Sequence, residues 1–232
     1  MRDSIKSKDY YEEIYESDTD DILYEEESLR MILEGEGKNF ENLPLCYHCL
    51  AVPYFLRFYV GYTMGKTYKE LLPDVEKYIE NESISWNGKN YEELVVICSL
   101  AILFNIRNEY IENLLKKSEA RLNNCLYGEM FIKLIQPSWE IKADKIYSVD
   151  DKALVEVIQL AQSDREAAVQ RLKKFVDKQW FRTLKEGIIT NKSRCYRGYW
   201  CIEAAALVKA LELDDTELRD CKYYPYDMAH FC

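Results

Sequence analysis

TYKELLPDVEKYI, residues 67–79, sets how the rest of the chain is read. Thr67 and Glu70 stand at capping-box spacing, in which a hydroxyl and a carboxylate satisfy the orphan N–H groups that open a helix. Leu71, Leu72, Val75, Tyr78 and Ile79 then recur at helical intervals, which gives the segment one side to bury. The pattern predicts a helix that lasts until the polar stretch 81–90. Asn90 and Glu93 repeat the capping signal ahead of the apolar run Leu94 to Phe104, and Glu109 to Lys117 and Leu122 to Ile135 add two amphipathic segments. Upstream, Leu45 to Met64 reads as a buried helix in which Pro53 is a kink or a late start. Gly65 is its stop, and Phe55, Phe58 and Tyr62 belong to the core.

Working outward, Asp9 to Leu33 carries Tyr10, Tyr11, Ile14, Tyr15, Ile22, Leu23, Leu29, Ile32 and Leu33 among acids. That spacing forms an apolar stripe on one or two helices ended by Gly35 and Gly37. Toward the C-terminus, Ala153 to Leu160 is helical. Ser163 with Glu166 caps a helix expected through about Leu184 and ended by Gly187, and Tyr199 to Leu211 forms a closely packable, Ala-rich helix. Gln136 to Val149, with Pro137 and Trp139 and few periodic apolar residues, is the expected boundary. The expectation is an all-α fold of stacked helical hairpins, with an acidic N-terminal part (1–140) packed with a C-terminal part (141–232). No fixed-period repeat assigns it to a named solenoid class.

Composition agrees, since 8 Gly and 5 Pro in 232 residues leave little material for the many turns of a β fold. Net charge is −10 and the distribution is uneven: positions 1–36 hold 13 acidic residues against 4 basic ones. Such a field repels phosphate and anionic lipid and favours a basic protein partner. Direct nucleic-acid binding and membrane attachment are therefore not expected. Eight cysteines behind a charged N-terminus without an apolar signal core read as reduced thiols in a cytoplasmic protein.

Chemistry-bearing patterns are weak. Gly65-Lys66-Thr67 has the ending of a phosphate loop, but Val60 stands where the first glycine belongs, and Gly61 is one position off. Cys46, His48 and Cys49, with His230 and Cys232, are the right ligand types for zinc at the wrong spacing. Neither histidine carries a frame for nucleophilic catalysis, and no pair of carboxylates comes with a pocket signature. The expectation is a non-enzyme with no metal and no cofactor.

The end of the chain is more distinctive. Tyr196-Arg197-Gly198-Tyr199-Trp200 is followed by Glu203-Ala204-Ala205, Asp214-Asp215 and Tyr223-Tyr224-Pro225-Tyr226-Asp227. Gly198 lets backbones pass closely, the alanines permit tight helix contact, and Glu203 needs a partner if buried. Asp214 or Asp215 can cap a short helix from Thr216 to Asp220, and the tyrosines suit a structural seam or an interface.

In order and spacing these residues resemble the C-terminal signature of the PoNi-type immunity family. The acidic N-terminal helix and the turn from Tyr62 to Gly65 into Tyr68-Lys69-Glu70-Leu71 resemble its other half more weakly. The resemblance implies a two-part helical protein that binds and silences a PoNe-type DNase effector, delivered between competing bacteria by a secretion system. It carries no catalytic residues. The acids Asp18, Asp20, Asp21, Glu25, Glu26 and Glu27 are the expected toxin-facing surface, because a DNase needs a basic groove. A general helical adaptor without toxin specificity is the competing reading.

Overall fold

A computed structural model describes residues 1–35, 37–118, 122, 124–180, 182 and 195–231. It is all-α, and no named strand occurs among the described residues. The chain divides into two compact units that are not consecutive pieces of sequence. One draws on Met1–Asn87, Asn108–Leu114 and Thr190–Gly198, the other on Gly88–Arg107, Leu115–Ile189 and Tyr199–Cys232.

In the first unit α1 (Lys8–Gly35) and α3 (Tyr68–Ser85) both pack on α2 (Leu43–Met64). The expected one or two N-terminal helices are thus one, ended at Gly35. Its inward stripe is Tyr11, Asp18, Ile22 and Leu29. Leu23, counted in the stripe from sequence, is 59% exposed, because each helical residue turns about 100° and carries the neighbour of buried Ile22 off the core side.

Pro53 sits inside α2 and Phe58 and Tyr62 are buried there as expected, while Phe55 is half-buried. Gly65 ends the helix in the left-handed region at φ 98°, with the Lys66 N–H donating to the Gly61 carbonyl at 3.0 Å. The Arg2 guanidinium closes the same end, donating to the carbonyls of Tyr62 (2.7 Å) and Lys66 (3.0 Å) from a position over the Tyr62 ring. Gly61 lies where the three helices converge. A Cβ there would stand 3.1 Å from Leu71, 3.1 Å from Lys66 and 3.4 Å from Tyr15. The Glu70 carboxylate accepts from the Thr67 N–H (2.8 Å) and hydroxyl (2.7 Å), as its spacing required.

In the second unit α4 (Tyr91–Leu103) packs on α6 (Leu126–Ile135) and on α9 (Ile202–Leu211), and α7 (Val149–Leu160) packs on α8 (Arg165–Phe175). Also among the described residues are α10 (Tyr226–Ala229), in this unit, and α5 (Glu109–Ser118), whose residues up to Leu114 belong to the first. Four starts differ from expectation, and that of α9 is Ile202 rather than Tyr199. α6 begins at Leu126 rather than Leu122, because Asn124 turns left-handed and the Leu126 N–H donates to the Lys145 carbonyl at 2.9 Å. α7 begins at Val149, capped reciprocally by Ser148 and Asp151. The N-cap of α8 is Asp164, not Ser163, and it accepts from the Ala167 N–H at 2.9 Å. After Phe175 the helix widens into a π turn, Val176–Trp180. Its expected end at Leu184 and Gly187 lies outside the described residues.

Candidate functional site

The six acids expected to face a partner all lie on α1, but the helix distributes them around its axis. Asp18 is fully buried. Arg197 donates to both of its carboxylate oxygens, at 2.9 Å from Nε and through a closer contact from the guanidinium end. Asp18 is therefore a structural ion pair and presents no charge to a partner, which corrects the expectation for this position. Glu26 is exposed but accepts from the buried Tyr54 hydroxyl at 2.5 Å, and Glu25 is half-buried. Asp20, Asp21 and Glu27 are exposed.

The face opposite the buried stripe runs Asp9, Glu13, Glu16, Asp20, Tyr24, Glu27, Met31 and Glu34, at helical intervals and exposed throughout. Its two halves differ in charge. Glu13, Glu16 and Asp20 have no cationic partner among the described residues. Glu27 and Glu34 are both held by Arg30, at 2.5 and 2.8 Å. The Arg30 guanidinium beside Glu27 holds that carboxyl below its usual range. On the same half, Leu23, Tyr24 and Met31 stand 59%, 70% and 62% exposed. The sequence reading missed these three as a group. The available signal was the seven-residue step from Tyr24 to Met31, which parallels the step from Ile22 to Leu29 on the opposite side.

The C-terminal motif falls on both units. In the first, the Tyr196 N–H donates to the Tyr10 hydroxyl at 2.8 Å and the Tyr196 hydroxyl donates to Asp3. The Thr63 hydroxyl donates to the Arg197 carbonyl, and Gly198 has φ 118°, a conformation an L side chain rarely adopts. In the second unit Tyr199 and Trp200 are buried, and the Trp180 indole N–H donates to the Tyr199 carbonyl at 2.8 Å. The Cys201 N–H donates to the Tyr223 carbonyl at 2.9 Å, and the Tyr199 and Tyr223 rings meet edge to face at 5.5 Å. Ala204, Ala205 and Ala206 are fully buried, consistent with the close approach of α9 to α4.

Asp214 accepts from the Thr216 N–H (3.0 Å) and hydroxyl (2.6 Å) and so caps the short 3₁₀ turn Thr216–Leu218. Asp215 is buried, 2.7 Å from the Tyr224 hydroxyl that donates to it and 3.1 Å from His230 Nε2. Pro225 is buried, Tyr226 packs on the His230 ring at 4.5 Å, and Asp227 is exposed. Glu203 stands in the first turn of α9 without a cation among the described residues. The Cys201 thiol lies 4.0 Å from its carboxylate oxygen. Burial pushes the Glu203 carboxyl up to about 7, in the direction that favours its neutral form.

Elsewhere, Gly65-Lys66-Thr67 is a helix stop followed by a cap. His48 Nδ1 lies 2.8 Å from the buried Glu82 carboxylate, Cys46 is half-buried and Cys49 is exposed. Cys232 lies outside the described residues. A groove of about 450 Å³ between the start of α8 and residues 212–217 is lined by Arg165, Glu166, Glu212, Asp214 and Glu217. Arg165 donates to the Leu211 carbonyl at 2.8 Å, and Glu217 holds Gln170 at 2.9 Å and Lys173 at 3.3 Å. The geometry thus offers two kinds of feature: motif residues bonded to their own fold, and an outward helix face that is acidic at one end and apolar at the other.

A model of the PoNe immunity protein (PoNi) C-terminal family matches residues 125–228. That span contains every motif residue named above, from Tyr196 to Asp227. No curated protein and no solved structure matches the chain. No helix among the described residues is long and apolar enough to cross a membrane.

Proposed function

We propose that this chain, whose residues 125–228 match the PoNi C-terminal family, is an immunity protein that neutralises a cognate PoNe-type DNase effector by direct protein–protein contact. The observation that carries the reading is the coincidence of that match with an uncompensated acidic helix face. A DNase binds phosphates with a basic surface, and a rigid acidic protein can occupy or flank that surface, gaining encounter rate from steering and residence time from a few desolvated anchors. Of the acids read from sequence as toxin-facing, Asp20, Asp21, Glu25, Glu26 and Glu27 stay on offer without buried Asp18, and Asp20 is the one that stands on the uncompensated part of this face. The motif residues serve to hold the scaffold rigid.

On this reading the protein acts in the cytoplasm of the producing cell, needs no cofactor, catalyses nothing, and touches neither nucleic acid nor membrane. The test is co-expression with a PoNe-type DNase effector, including any encoded next to this chain's gene. Rescue of growth together with co-purification of the pair is expected. Toxicity that persists despite soluble expression would overturn the reading, and binding to unrelated partners without protection would favour a general adaptor.

A further inference from the structure

Large apolar side chains scattered singly over a surface need no explanation, but Leu23, Tyr24 and Met31 are not scattered. They surround Glu27 at i−4, i−3 and i+4, so a little over two turns of α1 present three large apolar side chains to solvent, 59–70% exposed. Arg30 has already drawn in the two carboxylates beside them. Two turns earlier the same face carries Glu13, Glu16 and Asp20 with no cation among the described residues to offset them.

We infer that the outer face of α1 is a docking surface with separated duties: Glu13, Glu16 and Asp20 attract a basic protein partner, and Leu23, Tyr24 and Met31 are the anchors that keep it. Desolvating an anchor is cheapest where neighbouring charges are already paired, and the Arg30 bridge supplies that condition around Glu27. Long-range attraction, by contrast, needs carboxylates left unpaired, and these sit at the other end. The occupant is the phosphate-binding surface of a nuclease, because it is cationic and this face is not. A second copy of the chain fits poorly, since two such faces would bring like charges together. The inference rests on the immunity reading and adds the place of contact.

The test is association and dissociation kinetics with a catalytically inactivated PoNe-type DNase that the unmodified protein neutralises. Three variants are compared: L23S/Y24S/M31S, E13K/E16K/D20K, and Y147S/V149S, the last removing exposed apolar side chains of the other unit. Since the α1 residues are exposed, unchanged thermal melting is expected and verifies folding. The apolar triple variant is expected to dissociate about ten-fold or more faster with little change in association rate. The charge-reversal variant is expected to associate about ten-fold slower at low salt, with a flattened salt dependence. The Y147S/V149S variant should match the unmodified protein. If the nuclease binds and the apolar triple variant dissociates as slowly as the unmodified protein, the docking inference falls while the immunity reading stands. If no complex forms with the unmodified protein, both fall. A concentration-dependent dimer abolished by L23S/Y24S/M31S would assign the face to a second copy and also overturn the inference.

Discussion

Arg197 grips Asp18 across 179 residues of sequence, its Nε 2.9 Å from one carboxylate oxygen while the end of the guanidinium takes the other. The carboxylate is fully buried and the arginine side chain is only 16% exposed. The guanidinium also donates to the Cys195 carbonyl at 3.1 Å, so each of its three nitrogens makes a hydrogen bond. Burying such a pair is expensive, and removing one member leaves the other charge stranded.

Asp18→Asn is therefore expected to destabilise the protein by about 3–5 kcal/mol in urea denaturation, whereas Asp20→Asn, on the outer face, should change stability by less than about 0.5 kcal/mol. The double variant Asp18→Leu with Arg197→Met should cost less than the sum of the single changes. Equal stability of D18N and D20N would contradict the assignment of Asp18 as structural.

Glu203 yields a pH prediction. Its folded-state carboxyl titrates at about 7 against an ordinary 4.5, so the folded state holds the proton that the unfolded chain releases first. Below about 4.5 the group is neutral in both states and costs nothing. Between 4.5 and 7 stability falls as pH rises, and above 7 the loss is complete. Glu203→Gln should leave stability unchanged near pH 4 and raise it by roughly 1–3 kcal/mol at pH 8. Denaturation of both proteins at the two pH values checks this, and a variant less stable at pH 8 would contradict it.

The Asp215 hub makes a third prediction. Tyr224→Phe removes one donor from a buried carboxylate and should cost about 1–2 kcal/mol, while Asp215→Ala strands both the Tyr224 hydroxyl and the His230 contact and should cost more. Neither change should alter the association rate with a basic partner, since both act on the scaffold. A slowed association for Y224F at unchanged stability would make this motif a contact surface.

Thiol reactivity gives the fourth. Cys49 and Cys195 are exposed, whereas Cys98 and Cys201 are buried and burial pushes their thiols up. A thiol reagent applied to the native protein should label Cys49 and Cys195 within minutes and reach Cys98 and Cys201 only after unfolding, as read by peptide mass spectrometry. Labelling of Cys98 at the rate of Cys49 would contradict the packing of α4.

How much of this was legible in the sequence depends on the range of the interactions. Caps are local, so Thr67 with Glu70 and Asn90 with Glu93 announced α3 and α4 correctly. The start of α6 was not legible, because Leu126 is fixed by a hydrogen bond to Lys145, 19 residues on. α7 hid its own start in a segment read as a boundary, although Ser148 and Asp151 at capping spacing were there to be counted. Among the acids, composition named the helix but not the side of the helix. Asp18 is indistinguishable from Asp20 by type and separable only by phase, since it lies seven residues from Tyr11 on the buried stripe. Its partner Arg197 is a tertiary fact that no local pattern carries.

The most direct test of the central claim is titration of the purified protein into a DNA-cleavage assay of the cognate PoNe-type DNase. The account predicts that cleavage falls linearly and stops at one equivalent of protein per nuclease, with the DNA substrate itself left unbound. Undiminished cleavage at a ten-fold excess of folded protein, or inhibition that proceeds by sequestering DNA, would contradict it.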